Sequence, residues 1–121
     1  MAQHGSFYWN ELMTADPAAA ASFFVALTGC RIDTMAMPEG DYRVMMLGDK
    51  PAGGIMALSP GMPEGWFSYM AVDDVDAACA KVEELGGKIH KQPFEVAGVG
   101  RIAIVADPTG SPLGLIRPAG G

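Results

Sequence analysis

The chain has 121 residues, of which 50% are hydrophobic, and its formal net charge at pH 7 is -6. This length and apolar fraction predict one structural domain around one sizeable core. The acidic balance, without a cluster of Lys or Arg, argues against proteins that bind nucleic acid or anionic membranes through positive charge.

Two further features bear on location. No apolar run approaches the ~20 residues of a membrane helix, and the N-terminus lacks a cleavable signal pattern. The cysteines, Cys30 and Cys79, match no metal-ligand spacing and fit a reduced compartment. We therefore expect a cytoplasmic protein.

The first segment, Phe7 to Gly29, predicts a strand that leads into a helix. Trp9 and Glu11 alternate onto one face of the strand. Asp16 stands where a helix N-cap belongs, with Pro17 at the first helical position. Residues within the segment itself therefore predict both the strand and the helix.

The second half repeats this plan at an offset of 58 residues, the distance from Asp16 to Asp74 and from Gly29 to Gly87. Matches at caps and turns, where backbone geometry dictates residue type, indicate an internal repeat. Each half predicts strand, helix, strand, strand, strand. The predicted elements are Phe7–Thr14, Pro17–Thr28, Cys30–Met37, Tyr42–Leu47 and Gly53–Leu58, then Trp66–Val72, Val75–Leu85, Lys88–Lys91, Arg101–Ala106 and Leu113–Arg117.

The turns and the connector between these elements define two modules. Residues 38–41 and 48–51 predict hairpin turns, and the Pro/Gly-rich stretch 59–65 predicts a connector. Module one then covers about 6–58 and module two about 66–118, within one domain over 1–121. Pro93 is expected to cut the eighth predicted element short and to mark it as an edge strand.

Both helices are expected to be amphipathic, with Cys79 and Leu85 on the apolar side of the second. Each helix would cover one face of a sheet and leave the other face open. The fold class is therefore α+β, with two βαβββ modules forming a paired half-barrel around a central cavity. A ligand is expected in that cavity.

The segments VDDVDAACAKVEELGGKI and GRIAIVADPTGSPLGLI, within a twofold βαβββ pattern, resemble the vicinal oxygen chelate superfamily. Its members include glyoxalase I, extradiol dioxygenases, fosfomycin resistance proteins and bleomycin resistance proteins. The resemblance covers nearly the whole chain. It implies the paired βαβββ fold, frequent dimers and, in enzyme members, a divalent metal in the cavity.

The resemblance also implies where metal ligands would stand, on the first and last strands of each module. The last-strand position, after the DPTG turn, is Gly114, and its mate at the repeat offset is Met56. The first-strand positions are Trp9 and Phe67. None of these four is a His or a carboxylate, so we expect no metal and no cofactor. A divalent metal with other ligands is the alternative.

Glu11 and its repeat mate Tyr69 are the candidate catalytic pair. A carboxylate between the indole of Trp9 and the thioether of Met13 is desolvated, and this favours a general acid or base. Tyr69 would face Glu11 across the pseudo-twofold axis and donate a hydrogen bond. The alternative for Glu11 is a structural partner such as Arg43, Arg101 or Tyr69; the alternative for Tyr69 is an aromatic wall.

The remaining candidates would contact a ligand. Trp9 and Phe67 suit stacking on a flat, apolar compound, as in the bleomycin resistance proteins, or plain core packing. Arg43 and Arg101, another repeat pair, would bind a ligand carboxylate or act as structural ties to Glu11 and Asp33. Met56 completes the expected lining.

The sequence leaves catalysis open and favours a metal-free binder of a small, largely apolar or aromatic molecule, acting as a homodimer without nucleic acid or membrane. The alternative is an enzyme of the same superfamily, a lyase, isomerase or dioxygenase, that uses Glu11 or a divalent metal. A third reading is a structural pairing module with a filled cavity.

Overall fold

The computed structural model describes residues 2–38 and 40–120, in which eight strands and two helices follow one another as βαβββ twice. The predicted α+β class and element order are confirmed. The elements are β1 (Phe7–Thr14), α1 (Pro17–Thr28), β2 (Arg31–Met37), β3 (Gly40–Leu47), β4 (Lys50–Ala57), β5 (Gly65–Ala71), α2 (Val75–Val82), β6 (Lys88–Val96), β7 (Gly100–Ala106) and β8 (Pro112–Pro118).

Two compact units make up the chain. Trp9–Phe67 forms one, and the residues up to Tyr8 together with those from Ser68 onward form the other. The N-terminal segment belongs to the second unit because its backbone pairs with the end of β5. Gly5 N–H donates to the Ala71 carbonyl at 2.7 Å, and Ala71 N–H donates to the Ser6 carbonyl at 2.8 Å.

In the Trp9–Phe67 unit the strand order is β2-β3-β4-β1, and α1 packs against β2, β3 and β4. Strand β1 pairs with β4 in parallel, while β2–β3 and β3–β4 are antiparallel hairpins. The predicted turn over 38–41 includes Glu39, which lies outside the described residues. Strand β3 already begins at Gly40, so the second half of that turn is strand.

The other unit repeats this arrangement, with strand order β5-β8-β7-β6 and α2 against β6, β7 and β8. Val75 and Cys79 are the buried side chains of α2, which places the apolar side of the helix as expected. They belong to a buried cluster that also includes side chains from one face of the sheet. Its members are Val72, Val75, Cys79, Ala103, Val105 and Leu115.

The helix starts are where the sequence predicts them. The Asp16 carboxylate accepts a hydrogen bond from Ala19 N–H at 3.0 Å, and the Asp74 carboxylate accepts one from Ala77 N–H at 3.0 Å. Gly29 ends α1 in the left-handed conformation, with φ of 76°, which a glycine adopts without a Cβ clash. Local capping chemistry therefore decides these boundaries.

The ends of α2 and β6 differ from the prediction. Helix α2 ends at Val82, so Leu85 lies beyond it and is 69% exposed. Strand β6 continues through Pro93 to Val96, and the register shifts between Lys91 and Phe94. A bulge leaves one residue out of the hydrogen-bond ladder, which accommodates a residue without N–H. As predicted, β6 is an edge strand of its sheet.

Helix α1 is not amphipathic in the expected way. Ala21 is its buried residue, whereas Phe23 and Leu27 are 58% and 65% exposed. The side that meets the sheet carries Ala21 and the half-buried Phe24, whereas the other large apolar side chains point elsewhere. In the part of the chain that the structure describes, no helix is long and apolar enough to cross a membrane.

Candidate ligand-binding site

The buried carboxylate of Glu11 is the starting point of the candidate site. Glu11 is 6% exposed, and Met13, two residues further along β1, is 0% exposed. Because side chains alternate along a strand, Trp9, Glu11 and Met13 share one face, as predicted. Parallel pairing with β4 sets Glu11 beside Gly54 and Met13 beside Met56.

A hydrogen-bonded chain joins β1 to β3 on this face. The indole N–H of Trp9 donates to the Tyr42 hydroxyl at 2.8 Å, and that hydroxyl donates to the Glu11 carboxylate at 2.8 Å. Tyr42 thus uses its oxygen both as acceptor and as donor. We call Trp9, Tyr42 and Glu11 the polar triad.

The triad fixes the protonation state of its tyrosine. Burial, and then the negative charge of Glu11, raise the pKa of Tyr42 above its ordinary value of 10.0, while the bond from Trp9 opposes them. Tyr42 is therefore a neutral hydrogen-bond donor at ordinary pH, not a base. Any proton transfer in the triad would fall to the Glu11 carboxylate.

Glycine makes room for the tyrosine. A Cβ at Gly54 would overlap the Tyr42 hydroxyl. In the other unit the same relation holds between Gly114 and Tyr69, because a Cβ at Gly114 would overlap the Tyr69 ring. Tyr69 is 6% exposed and pairs with Gly114 across β5 and β8.

This register corrects the predicted mate of Gly114. Glu11 pairs with Gly54, and its repeat mate Tyr69 pairs with Gly114. Gly54, not Met56, is therefore the counterpart of Gly114 in the last strands. Met56 lies one pair further along, beside Met13.

The shift in the repeat is already present in the middle strands, because Gly54 pairs with Val44 in β3 and Gly114 pairs with Ile104 in β7. Two residues, 48–49, connect β3 to β4, whereas five, 107–111, connect β7 to β8. In the longer turn the Asp107 carboxylate accepts hydrogen bonds from the backbone N–H and the hydroxyl of Thr109, at 2.8 and 2.6 Å. The offset of 58 residues thus holds for the first strands and widens before the middle ones.

Trp66 and Phe67, which are consecutive in β5, lie on opposite sides of their sheet. Trp66 packs edge-on against Phe24 of α1, with ring centroids 5.6 Å apart, so its side chain is on the helix side. Phe67, the next residue, alternates to the other face and is 2% exposed. Phe67 therefore shares the orientation of Trp9, as predicted.

Arg43 is not a tie to Glu11 or Asp33. It follows Tyr42 in β3 and so points to the helix side of the sheet, away from Glu11. Asp33 instead pairs with Arg31, with Arg31 Nε 3.0 Å from its carboxylate. Within 2–38 and 40–120, the side chain of Arg43 has no hydrogen bond or ion pair.

Arg101 is a structural tie, with partners that the sequence analysis did not name. Its guanidinium donates to both carboxylate oxygens of Asp76 on α2, at 2.6 and 2.8 Å. A weaker bond of 3.4 Å reaches Glu95 on β6. The Arg101 hydrogen bond lowers the pKa of Asp76. Arg101 thus holds α2 to the sheet.

The donor set of the described residues does not fit a divalent metal. Trp9, Phe67 and Gly114 offer no ligand atom from their side chains, and aromatic groups fill the side-chain space of both last-strand glycines. No group of three His, Cys, Asp or Glu side chains is close enough to hold a metal ion in the described ranges. We derive no chemical step through a metal.

Tyr42 is the site residue that the sequence analysis missed. Its position at the offset of 58 is Gly100, so the repeat gives no aromatic match. The available signal was alternation in β3, which sets Tyr42 opposite in orientation to Arg43. The contact also needs β3, β4 and β1 to be in register, and single-strand patterns do not contain that information.

Comparison with known proteins agrees with this architecture. The family model of the Glyoxalase/Bleomycin resistance protein/Dioxygenase superfamily matches residues 8–115. "Putative glyoxylase CFP32" of Mycobacterium bovis is 39% identical over 95% of this chain and 45% of its own length. "Anthracycline biosynthesis protein DnrV" of Streptomyces peucetius is 31% identical over 93% of this chain and 47% of its own. The chain thus spans about half the length of these relatives.

Solved structures share the fold at low identity. Methylmalonyl-CoA epimerase from Mycobacterium tuberculosis has a TM-score of 0.67 at 16% identity, covering 98% of this chain and 93% of its own. A superfamily member from Vibrio splendidus has a TM-score of 0.65 at 16% identity, covering 93% and 99%. With the family model matched over most of its length, the chain belongs to the Glyoxalase/Bleomycin resistance protein/Dioxygenase superfamily.

Proposed function

We propose that this chain is a metal-free binding domain for a small, largely apolar or aromatic molecule, and that it works as a homodimer. Trp9, Tyr42 and Phe67 would supply the aromatic surface. Glu11 would be the polar anchor, held in place by the Tyr42 hydroxyl. This role needs recognition and no turnover.

The observation that carries the proposal is the use of the last-strand positions. Gly54 and Gly114 leave their side-chain space to the rings of Tyr42 and Tyr69. A ligating carboxylate cannot stand at either position without displacing a ring. Aromatic planes with a few fixed polar atoms suit the binding of a flat organic compound.

The two tryptophans provide matched probes of the proposed surface. Trp66→Phe leaves Trp9 as the sole tryptophan, and Trp9→Phe leaves Trp66, on the helix side of the sheet. We expect 4-nitroanisole, a small neutral aromatic quencher, to quench Trp9 emission to saturation and Trp66 emission only by collision. Saturation at Trp66 alone, or at neither tryptophan, would contradict the proposal.

Elemental analysis and native mass spectrometry of the purified chain test its other parts. A dimer mass, no stoichiometric metal and an organic adduct that Trp9→Phe removes would support the binder. One zinc, iron, manganese or nickel ion per site would contradict the proposal that the chain binds its ligand without a metal. These measurements add no ligand, so they do not depend on a chosen one.

An enzyme is the second candidate, and one observation favours it. Glu11 is a buried carboxylate held by a neutral phenol, an arrangement suited to moving one proton. Among proteins with this fold, one solved structure is a methylmalonyl-CoA epimerase in complex with methylmalonyl-CoA. An acid/base role for Glu11 would transfer a proton to or from a carbon beside a carbonyl.

Deuterium exchange separates the two candidates. We would incubate the chain with methylmalonyl-CoA in D2O and follow the C2 proton by NMR. Exchange that Glu11→Gln abolishes and Asp49→Asn, an exposed turn variant, retains would favour the enzyme. Absence of exchange, together with saturable quenching at Trp9, would favour the binder.

A further inference from the structure

A shallow, solvent-open depression lies on the helix side of the Trp9–Phe67 unit. A cleft of about 460 Å³ opens between α1 and the strands β2 and β3. Its walls are Ile32, Arg43 and one side of α1 from Ala18 to Ala26. Arg43 and Tyr42 are consecutive in β3, so this cleft and the polar triad face opposite sides of the sheet.

Arg43 is the charged group of this cleft. It is half-buried, its neighbours in the cleft are mostly Ala, Val and Ile, and it has no hydrogen-bonding or ionic partner in the part of the chain that the structure describes. Arg31 and Arg101, by contrast, both bind carboxylates. A partly desolvated guanidinium without an anion is costly, and a carboxylate offsets that cost through two charge-assisted hydrogen bonds.

The other unit shows how a strand arginine is paired with a carboxylate of the neighbouring helix. Arg101, at the sequence offset of 58, lies two residues from Ala103, which is the counterpart of Arg43 by strand register, and it holds both carboxylate oxygens of Asp76. Asp76 lies at the second position of α2, and the same offset places Ala18 at the second position of α1. Ala18 is part of the cleft wall. Where module two has a carboxylate, module one therefore has a methyl group and open space.

We propose that the cleft binds an aliphatic monocarboxylate, whose carboxylate lies between Arg43 and the first turn of α1, where α2 carries Asp76. The hydrocarbon part lies along the methyl groups of α1 and Ile32. Ser22, also in the wall, adds one hydroxyl that can donate to the second carboxylate oxygen. This site is separate from the polar triad and goes beyond the proposed function.

Titration with sodium octanoate tests the site, with octylammonium as the probe of opposite charge. Calorimetry on the folded chain is expected to show octanoate binding and no octylammonium binding. Arg43→Gln is expected to weaken octanoate binding by about tenfold or more. Ala18→Asp fills the carboxylate position from within the chain and should abolish binding, whereas Ala18→Asn, of the same size without charge, should retain part of it.

Four results would overturn the proposal. The first is no octanoate binding to the unmodified chain, and the second is an affinity in Arg43→Gln and Ala18→Asp equal to that of the unmodified chain. The third is loss of binding in Trp9→Phe while Arg43→Gln still binds normally. The fourth is that the unmodified chain is a dimer without octanoate affinity and that Ala18→Asp dissociates it. The last would mean that a carboxylate of a second copy occupies the cleft. NMR of the guanidinium Nε–H of Arg43 gives a direct readout, because its shift must move along the octanoate titration. Circular dichroism confirms that each variant is folded.

Discussion

Tyr42 donates its hydroxyl hydrogen to the Glu11 carboxylate across 2.8 Å, from a strand 31 residues further along the chain. The bond brings together a buried acid and a half-buried phenol that share no sequence motif. Trp9 stabilises the pair by donating to the same hydroxyl. The best candidate for function in this chain is therefore also a stability element.

Replacing Tyr42 by Phe should lower the free energy of unfolding by about 1–3 kcal/mol, since it removes a donor from a buried carboxylate and an acceptor from the Trp9 indole. Urea denaturation at neutral pH measures the change. Tyr8→Phe is the control, because Tyr8 is 46% exposed. Equal stability of the two variants would mean that the bond to Glu11 contributes nothing.

Alkaline titration should distinguish Tyr42 from an ordinary tyrosine. Its pKa is raised in the folded state, so the unfolded chain loses the phenolic proton first. The stability contribution is complete below the ordinary value of 10.0 and declines as pH rises above it. Near-ultraviolet absorbance should show that Tyr42→Phe removes a tyrosine that ionises last, or only with unfolding. Loss of an early-ionising group would contradict this.

Gly54→Ala should be destabilising because the added methyl displaces the Tyr42 hydroxyl from its bonds to Trp9 and Glu11. We expect a loss of about 1–3 kcal/mol, typical of an overpacked core. A double-mutant cycle with Tyr42→Ala isolates the cause. Once the ring is absent, Gly54→Ala should cost much less; an unchanged cost would assign the effect to the backbone of β4.

The features that the sequence predicted well are local. Asp16 and Asp74 cap their helices through a backbone N–H three residues away, and the residues that decide this lie within one turn. The alternation that orients Trp9, Glu11 and Met13 is also contained in one strand. These patterns do not depend on how the rest of the chain is arranged.

The features that were missed depend on distant pairing. The bond between Tyr42 and Glu11 requires the registers of β3 on β4 and of β4 on β1. The counterpart of Gly114 is Gly54, not Met56, because the offset of the repeat is already 60 in β3 and β7. Pro93 was compatible with a strand once a bulge removed the need for its N–H. Sequence spacing alone specifies none of these.

Asp76→Asn should make the chain less sensitive to acid. The hydrogen bond from Arg101 lowers the pKa of Asp76 in the folded state, so the unfolded chain takes up this proton first as pH falls. The stabilising contribution is complete above the ordinary value of 3.8 and is lost as pH drops through the lowered one. Across this range, the unfolding temperature of Asp76→Asn should depend less on pH than that of Asp49→Asn. Identical slopes would mean that Asp76 does not contribute to acid unfolding.

Ala18→Asp should stabilise the chain even without a ligand. The first turn of α1 has no acidic residue, whereas that of α2 has Asp76. A carboxylate at this position meets the positive end of the helix dipole and the guanidinium of Arg43, and the dipole effect alone is worth about 0.3–1 kcal/mol. Urea denaturation measures the gain against Ala18→Asn. The gain should shrink in an Arg43→Gln background; a gain of the same size there would assign all of it to the dipole and none to Arg43.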